Sequence, residues 1–217
     1  QFYFIGDSLT ELGYSLSTRG WLLNIQEAYI RKVDIINRGY SGYNTTWIKP
    51  IITQILEEMS SKDVRLVTLF IGANDAVTEE GSGQHVSLNE YRENLCWMIN
   101  EIRKKVSLAK LILITPTPVY GDDWIKDQLL KGLDYKLDRH NNIIKKYVDC
   151  VMEVGLEYEI PTVDLWNKFD SKDTSLFTDG LHFSVKGNQI LYEQWKACIE
   201  NNYPELADSN LQFVYPY

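Results

Sequence analysis

A serine, an aspartate and a histidine in this chain have the residue types and local spacing that nucleophilic acyl transfer requires. Ser8 follows an apolar run near the start of the chain, within FIGDSLTELGY (residues 4–14). Asp179 precedes His182 by three positions in a turn that contains Gly180. A serine hydroxyl is a weak nucleophile until an imidazole accepts its proton, and a carboxylate orients that imidazole. The spacing predicts that Asp179 contacts the ring of His182, which would serve Ser8 as its base.

Two further residues are suited to bind a negatively charged oxygen. Gly42 ends NRGYSG (residues 37–42), and Asn74 lies in GAND (residues 72–75). The backbone N–H groups of Ser8 and Gly42 and the side-chain amide of Asn74 would supply three donors to an oxyanion. A glycine at position 42 would let the backbone approach a substrate that a Cβ would obstruct. This site exists only if the fold brings the segments together.

Five short apolar runs alternate with longer amphipathic segments along the chain. The runs predict strands at 2–5, 33–36, 66–71, 111–115 and 160–163, and the segments predict helices near 20–32, 45–59, 88–106, 126–155 and 185–200. Apolar strands that alternate with helices predict a three-layer α/β/α fold with a doubly wound, five-stranded parallel sheet of the flavodoxin-like type. Ligands bind beyond the carboxyl ends of such strands, where the polar segments lie.

The chain shows no repeat, low-complexity tract or linker, so residues 1–200 are expected to form one domain. Residues 201–217 contain two prolines and the aromatic residues Tyr203, Phe213, Tyr215 and Tyr217, without a helical period. An aromatic tail of this kind is expected to pack on the domain or on a partner.

Charge and composition narrow the range of partners. A net charge of −8 argues against nucleic acid or an anionic membrane surface, and no apolar run approaches the roughly 20 residues of a membrane span. Cys96, Cys150 and Cys198 lack close spacing, so free thiols and an intracellular, cytoplasmic location are expected. No histidine, cysteine and carboxylate cluster has metal-ligand spacing, so neither a metal nor another cofactor is expected. A homo-oligomer is left open.

The polar segments resemble, in order, the four blocks of the SGNH/GDSL hydrolase family. The matching residues are GDSL at 6–9, NRGYSG at 37–42, GAND at 72–75 and DGLH at 179–182. Longer matches, FIGDSLTE, RGYSGYNTTW, IGANDA and FTDGLHFSVKGN, are most similar to the isoamyl acetate-hydrolysing esterase branch. The resemblance implies that Ser8 is the nucleophile, His182 the base and Asp179 the orienting acid, with Gly42 and Asn74 in the oxyanion hole.

The same resemblance implies a serine carboxylester hydrolase that forms an acyl-enzyme on small, uncharged, acetate-type esters. Aromatic residues near the motifs would wall a compact apolar pocket, namely Tyr43, Trp47, Trp124 and Phe177. Ordinary packing is an equally open role for the two tryptophans. Lipase, lysophospholipase, thioesterase and deacetylase activities of the same family remain alternatives.

Other interpretations of these residues also remain open. Ser8 and Glu11 match the S-x-x-E pattern, so Ser8 would cap the first helix, and Glu11 itself is expected to be a capping acid. A non-catalytic module whose glycine and serine loops hold a phosphate is the alternative from another class, although no cation flanks residues 6–8. His85 and His140 lie in polar segments and are expected to be solvated surface residues.

Overall fold

A computed structural model describes residues 1–133, 136–170 and 172–214 of the chain. Its strands are β1 (Phe2–Gly6), β2 (Ile35–Gly39), β3 (Leu66–Phe70), β4 (Lys110–Ile114) and β5 (Thr162–Val163). Its helices are α1 (Ser8–Glu11), α2 (Trp21–Ala28), α3 (Thr45–Met59), α4 (Leu88–Lys105), α5 (Gly121–Leu130), α6 (Asn141–Glu157) and α7 (Val185–Asn202). Three short 3-10 helices cover Leu12–Tyr14, Thr174–Leu176 and Pro204–Leu206.

The strands form one parallel sheet in the order β2-β1-β3-β4-β5. Phe2 of β1 lies opposite Ile35 of β2 and Leu66 of β3. Every residue of β1 and β3 is buried, because helices cover the central strands on both faces. Helix α2 connects β1 to β2, and α3 connects β2 to β3, so the two connections run in opposite directions across the sheet. Because such crossovers are right-handed, α2 and α3 lie on opposite faces. The predicted three-layer α/β/α fold is confirmed.

The edge strand β2 departs most from its prediction. It runs to Gly39, through the polar residues Asn37 and Arg38, instead of ending at position 36. An edge strand tolerates such residues because only one side of it pairs with the sheet. Asn37 donates to the carbonyls of Thr10 and Glu11, which joins the edge strand to helix α1.

The single helix predicted over 126–155 is wrong. Helix α5 ends at Leu130, and α6 begins at Asn141. Gly132 has a φ of +77°, a backbone conformation that favours glycine and stops the helix. Beyond it, Arg139 forms an antiparallel bridge with Val77, and only 3% of Arg139 is exposed. The break therefore carries a charged residue into the interior.

The end of the described chain lies against the domain. Helix α7 continues two residues past the predicted domain boundary, and the Tyr203 hydroxyl after it donates to the carbonyl of Leu111 at 3.0 Å. Leu206 is buried, and the guanidinium of Arg31 lies over the ring of Phe213. The predicted contacts of Tyr215 and Tyr217 fall outside the described residues.

Two further observations concern membranes and thiols. Within the described ranges, every helix is too short or too polar to cross a bilayer. Cys96, Cys150 and Cys198 are free thiols. Burial raises the pKa of Cys150 and of Cys198 to about 11, so both remain protonated and poorly nucleophilic at neutral pH.

Candidate active site

Ser8 opens helix α1 directly after β1, and its side chain does not cap the helix. The N-cap is Asp7, whose Oδ1 accepts the backbone N–H of Leu9 at 3.0 Å. The capping interpretation of Ser8 is therefore wrong. Glu11 lies in the first turn of α1, as expected, and its carboxylate also accepts the backbone N–H of Ser41 at 2.6 Å in the loop after β2.

Ser8, His182 and Asp179 form a continuous chain of hydrogen bonds. The Oγ of Ser8 lies 2.9 Å from Nε2 of His182, and Nδ1 of His182 lies 2.6 Å from Oδ2 of Asp179. Burial opposes ionisation of Asp179, but the hydrogen bonds and charge of His182 outweigh it and hold the pKa of Asp179 below its usual value. With Nδ1–H donating to this carboxylate, Nε2 can accept the Ser8 proton.

The turn that carries His182 is packed tightly against the start of α5. Gly180 has a φ of +89°, and a Cβ at this position would lie 2.2 Å from the carbonyl oxygen of Tyr120. The backbone N–H of Tyr120 in turn donates to the Gly180 carbonyl at 2.8 Å. Oδ1 of Asp179 accepts the backbone N–H of His182 at 2.7 Å. Only glycine fits this turn, and the imidazole is thereby fixed in place.

Gly42 and Asn74 line the same cavity as Ser8. Gly42 has a φ of +81°, and a Cβ at this position would lie 3.6 Å from Nε2 of Gln84, an ordinary contact distance. Backbone conformation, rather than lack of space, therefore explains the glycine. Nδ2 of Asn74 donates to the Tyr43 carbonyl at 2.9 Å. An amide carries two N–H groups, so the second can donate into the cavity.

The cavity beside Ser8 has a volume of about 420 Å³. Its apolar lining consists of Leu12, Trp124, Leu133 and Leu181, and polar groups come from Ser41, Ser82, Gln84, Gln128 and Arg139. A mostly apolar wall with a few convergent polar groups is typical of a site for a small organic molecule.

Only one of the four predicted pocket aromatics lines this cavity. The ring of Trp124 lies 5.9 Å from that of His182 and forms part of the wall. Contrary to the prediction, Tyr43 and Trp47 pack edge to face with each other outside the lining, and 47% of Trp47 is exposed. Phe177 also lies outside it, packed on Phe169. Closeness to a motif in sequence did not predict which way these rings point.

Five lining residues were missed because they come from outside the motifs. Gln128 lies in α5, Leu133 follows that helix, and Arg139 precedes α6. Ser82 and Gln84 lie in the loop between β3 and α4. The glycine at position 132, which ends α5, was the one signal that this stretch leaves the helix. Arg139 thus brings a positive charge to the cavity, although no lysine or arginine flanks Ser8 in the sequence.

The two other histidines lie away from the cavity lining. Nδ1 of His85 lies 2.6 Å from the carbonyl of Val77, and 23% of the side chain is exposed, so the expectation of a solvated surface residue is wrong for His85. His140 is half-buried at the N-terminus of α6 and, among the described residues, makes no side-chain capping bond there.

Two buried carboxyl groups lie behind the site. Desolvation raises the pKa of Asp7 to about 6 and that of Asp75 to about 7. Oδ1 of Asp75 accepts the backbone N–H of Thr45 at 2.9 Å and also the Thr45 hydroxyl. Asp75 therefore joins the loop after β3 to the first residue of α3, beside the loop that carries Gly42.

Comparison with known proteins identifies the family. The GDSL-like lipase/acylhydrolase family matches residues 4–190. The human isoamyl acetate-hydrolyzing esterase 1 homolog is 36% identical over 98% of this chain and 84% of its own length. A GDSL esterase/lipase of Arabidopsis thaliana is 34% identical over 88% of this chain and 82% of its own length.

Solved structures share the fold. A lipase/acylhydrolase from Enterococcus faecalis has a TM-score of 0.66 and 26% identity, covering 99% of this chain and 98% of its own. An acetylxylan esterase from Geobacillus stearothermophilus has a TM-score of 0.67 and 22% identity, covering 91% of this chain and 93% of its own. With the family match over most of the length, this chain belongs to the GDSL-like lipase/acylhydrolase family and is a carboxylic ester hydrolase.

Proposed function

We propose that this chain hydrolyses small, uncharged esters with a short acyl group, through an acyl-enzyme on Ser8. The observation that carries the proposal is the pair of contacts at His182, 2.9 Å to Ser8 on one side and 2.6 Å to Asp179 on the other, at the wall of the cavity that Gly42 and Asn74 line. This arrangement has the parts that acyl transfer needs: nucleophile, base, orienting carboxylate and oxyanion donors.

The reaction proceeds in two half-reactions. Oγ of Ser8 attacks the carbonyl carbon of the ester while Nε2 of His182 takes the hydroxyl proton. The negative oxygen of the tetrahedral intermediate accepts hydrogen bonds from the N–H groups of Ser8 and Gly42 and from the amide of Asn74. The bond to the alcohol oxygen then breaks, and His182 returns its proton to that oxygen.

Water completes the cycle. His182 takes a proton from water, whose oxygen attacks the acyl carbon, and a second tetrahedral intermediate forms at the same donors. The bond between the acyl carbon and Oγ of Ser8 breaks, the carboxylic acid leaves, and the proton returns to Ser8. Asp179 holds the imidazole in one orientation throughout and stabilises its positive charge.

The size and lining of the cavity support a small substrate. A volume of about 420 Å³ is large enough for a short ester with its alcohol. The apolar side chains of Leu12, Leu133 and Trp124 favour hydrocarbon, at about 0.8 kcal/mol for each buried CH₂ until the cavity is full. The name of the human relative, which refers to isoamyl acetate, is consistent with an acetate ester.

The test is the dependence of kcat/KM on acyl length. Over p-nitrophenyl esters from acetate to dodecanoate, we expect kcat/KM to peak at short acyl chains and to fall well before dodecanoate, as the chain outgrows the cavity. Isoamyl acetate, an acetylated xylo-oligosaccharide, a lysophospholipid and an acyl-CoA are compared in parallel. A peak at long chains, or a preference for any of the last three substrates, would refute the small-ester assignment while leaving Ser8 as the nucleophile.

A further inference from the structure

A buried guanidinium lies directly behind the proposed oxyanion donor Asn74. Arg139 donates through Nη1 to the carbonyl of Ala73 and through Nη2 to Oδ1 of Asn74 at 3.0 Å. Nη2 also lies 3.2 Å from Oε1 of Gln84. Burying a full positive charge is costly unless its donors are paired, so an arginine at 3% exposure indicates a specific task.

Gln84 extends the same network to the second donor, Gly42. Nε2 of Gln84 donates to the Gly42 carbonyl at 2.7 Å, while Oε1 accepts from Arg139 and from the hydroxyl of Ser82. The peptide of Gln84 is itself held, because its carbonyl accepts from the buried side chain of Asn44 at 2.8 Å. One arginine thus reaches the side chain of Asn74 directly and the backbone of Gly42 through one glutamine.

Although Arg139 lines the cavity, its guanidinium is bound to acceptors of the protein itself. Both Nη atoms point at protein acceptors, and Nε is buried 4.0 Å from Oδ1 of Asp138. The ring of Trp124 lies 5.4 Å from Cζ of Arg139 and covers it. A positive charge so enclosed acts on the reaction through the groups that it contacts.

We propose that Arg139 is a positioning residue that, through Asn74 and Gln84, holds two oxyanion donors in place and polarises the Asn74 amide. This inference rests on the proposed function of Ser8. Donation to Oδ1 of Asn74 draws electron density from its amide and strengthens the remaining N–H as a donor. Donors fixed before the reaction cost no reorganisation when the negative oxygen appears.

Three variants test the network. Arg139→Met removes the charge, Arg139→Lys keeps a charge without the forked donors, and Gln84→Met disconnects Gly42. We expect Arg139→Met to lower kcat by about 10- to 100-fold, part of the loss expected for deleting one oxyanion donor outright, with KM changed less than about threefold. Arg139→Lys should recover only part of the loss, because one ammonium cannot reproduce two directed bonds. Gln84→Met should lower kcat less than Arg139→Met.

The matched control is Arg103→Met. Arg103 also donates to a backbone carbonyl, that of Tyr158, but it does so on the exposed side of α4. Its kcat and KM should equal those of the wild-type enzyme. Circular dichroism and thermal unfolding establish which variants fold. If Arg139→Met does not fold, the kcat values of Arg139→Lys and Gln84→Met test the proposal instead.

A double-mutant cycle with Asn74→Ala distinguishes positioning from a general structural role. If Arg139 acts largely through Asn74, Arg139→Met should lower kcat by less than about threefold in the Asn74→Ala background. A trifluoromethyl ketone, which forms a charged tetrahedral adduct with a serine, should lose affinity in parallel with kcat. The matching methyl ketone should lose affinity much less, because its ground state makes little use of the oxyanion donors.

Each outcome decides the matter. Full kcat in Arg139→Met, independent losses in the cycle, or an equal loss of affinity for both ketones would overturn the role of Arg139. Those results together with an inactive Ser8→Ala would leave the proposed function intact. An active Ser8→Ala would overturn the proposed function and the inference with it.

Discussion

The Oγ atom of Ser8 and the Nε2 atom of His182 lie 2.9 Å apart, although 174 positions separate the two residues in the sequence. Asn188 of α7 bonds to residues near both of them in the chain. Its Oδ1 accepts the backbone N–H of Trp21 at the start of α2, and its Nδ2 donates to the carbonyl of Phe183. Asn188 therefore links the start of α2 to the residue that follows His182.

Replacing Ser8 by alanine should abolish ester hydrolysis. No other serine is expected to replace it, because the Nε2 atom of His182 contacts the hydroxyl of Ser8. Turnover of p-nitrophenyl acetate should fall by a factor on the order of 10³ or more, as when a nucleophile is removed from a triad. The unfolding temperature should change little. Retention of a tenth of the activity would contradict the assignment.

Asp179→Asn should lower kcat by a factor on the order of 10³ to 10⁴, because an amide at this position favours the wrong tautomer of His182. KM should change little. The control is Asp173→Asn, which removes a carboxylate in the preceding loop that pairs with Lys186 at the surface. If both variants lose activity equally, the loop matters as a whole and Asp179 has no specific role.

Asn74→Ala should lower kcat by about 10² to 10³ with a nearly unchanged KM, because in its proposed role the amide donates to charge that exists only in the transition state. Steady-state kinetics on a short-chain ester measures both constants. Asn202→Ala, at the exposed end of α7, is the control. An increase in KM at constant kcat would instead show that Asn74 binds the ground state.

Asp75 should make the free energy of unfolding depend on pH. Its pKa is about 7 in the folded chain, because of burial, against 3.8 for an ordinary aspartate. Between these values the folded state holds a proton that the unfolded state has lost, so stability falls as pH rises from about 4 to about 7 and is then level. The slope from one such group is at most about 1.4 kcal/mol per pH unit.

Asp75→Asn removes this titration while keeping an acceptor for Thr45. Relative to the wild type, the variant should therefore be more stable at pH 8 than at pH 5, as measured by its free energy of unfolding in urea. A difference that does not change with pH would mean that Asp75 ionises normally in the folded chain.

Much of the fold followed from local sequence. Strands β1, β3 and β4 were predicted within one residue at each end. Short apolar runs that end in glycine or polar residues are typical of buried strands. The contact between Asp179 and His182 was also predictable, since residues three apart in a glycine turn meet through local geometry alone.

Other features depended on packing between distant segments. Arg139 contacts Asn74 because helix α5 ends at Leu130 and Arg139 then pairs with Val77. Helical periodicity in the sequence does not predict such a pairing. Likewise, Trp124 faces the cavity whereas Trp47 faces solvent, since the direction of a side chain depends on the element packed against it.

The sequence by itself thus determined the three central strands of the sheet, the polar segments that follow the strands and the chemistry that their residues can perform. The tertiary structure alone decided the 2.9 Å contact between Ser8 and His182 and the cation behind Asn74. The physical reason is range: backbone propensity and glycine turns act over a few residues, whereas these contacts depend on how whole helices pack on the sheet.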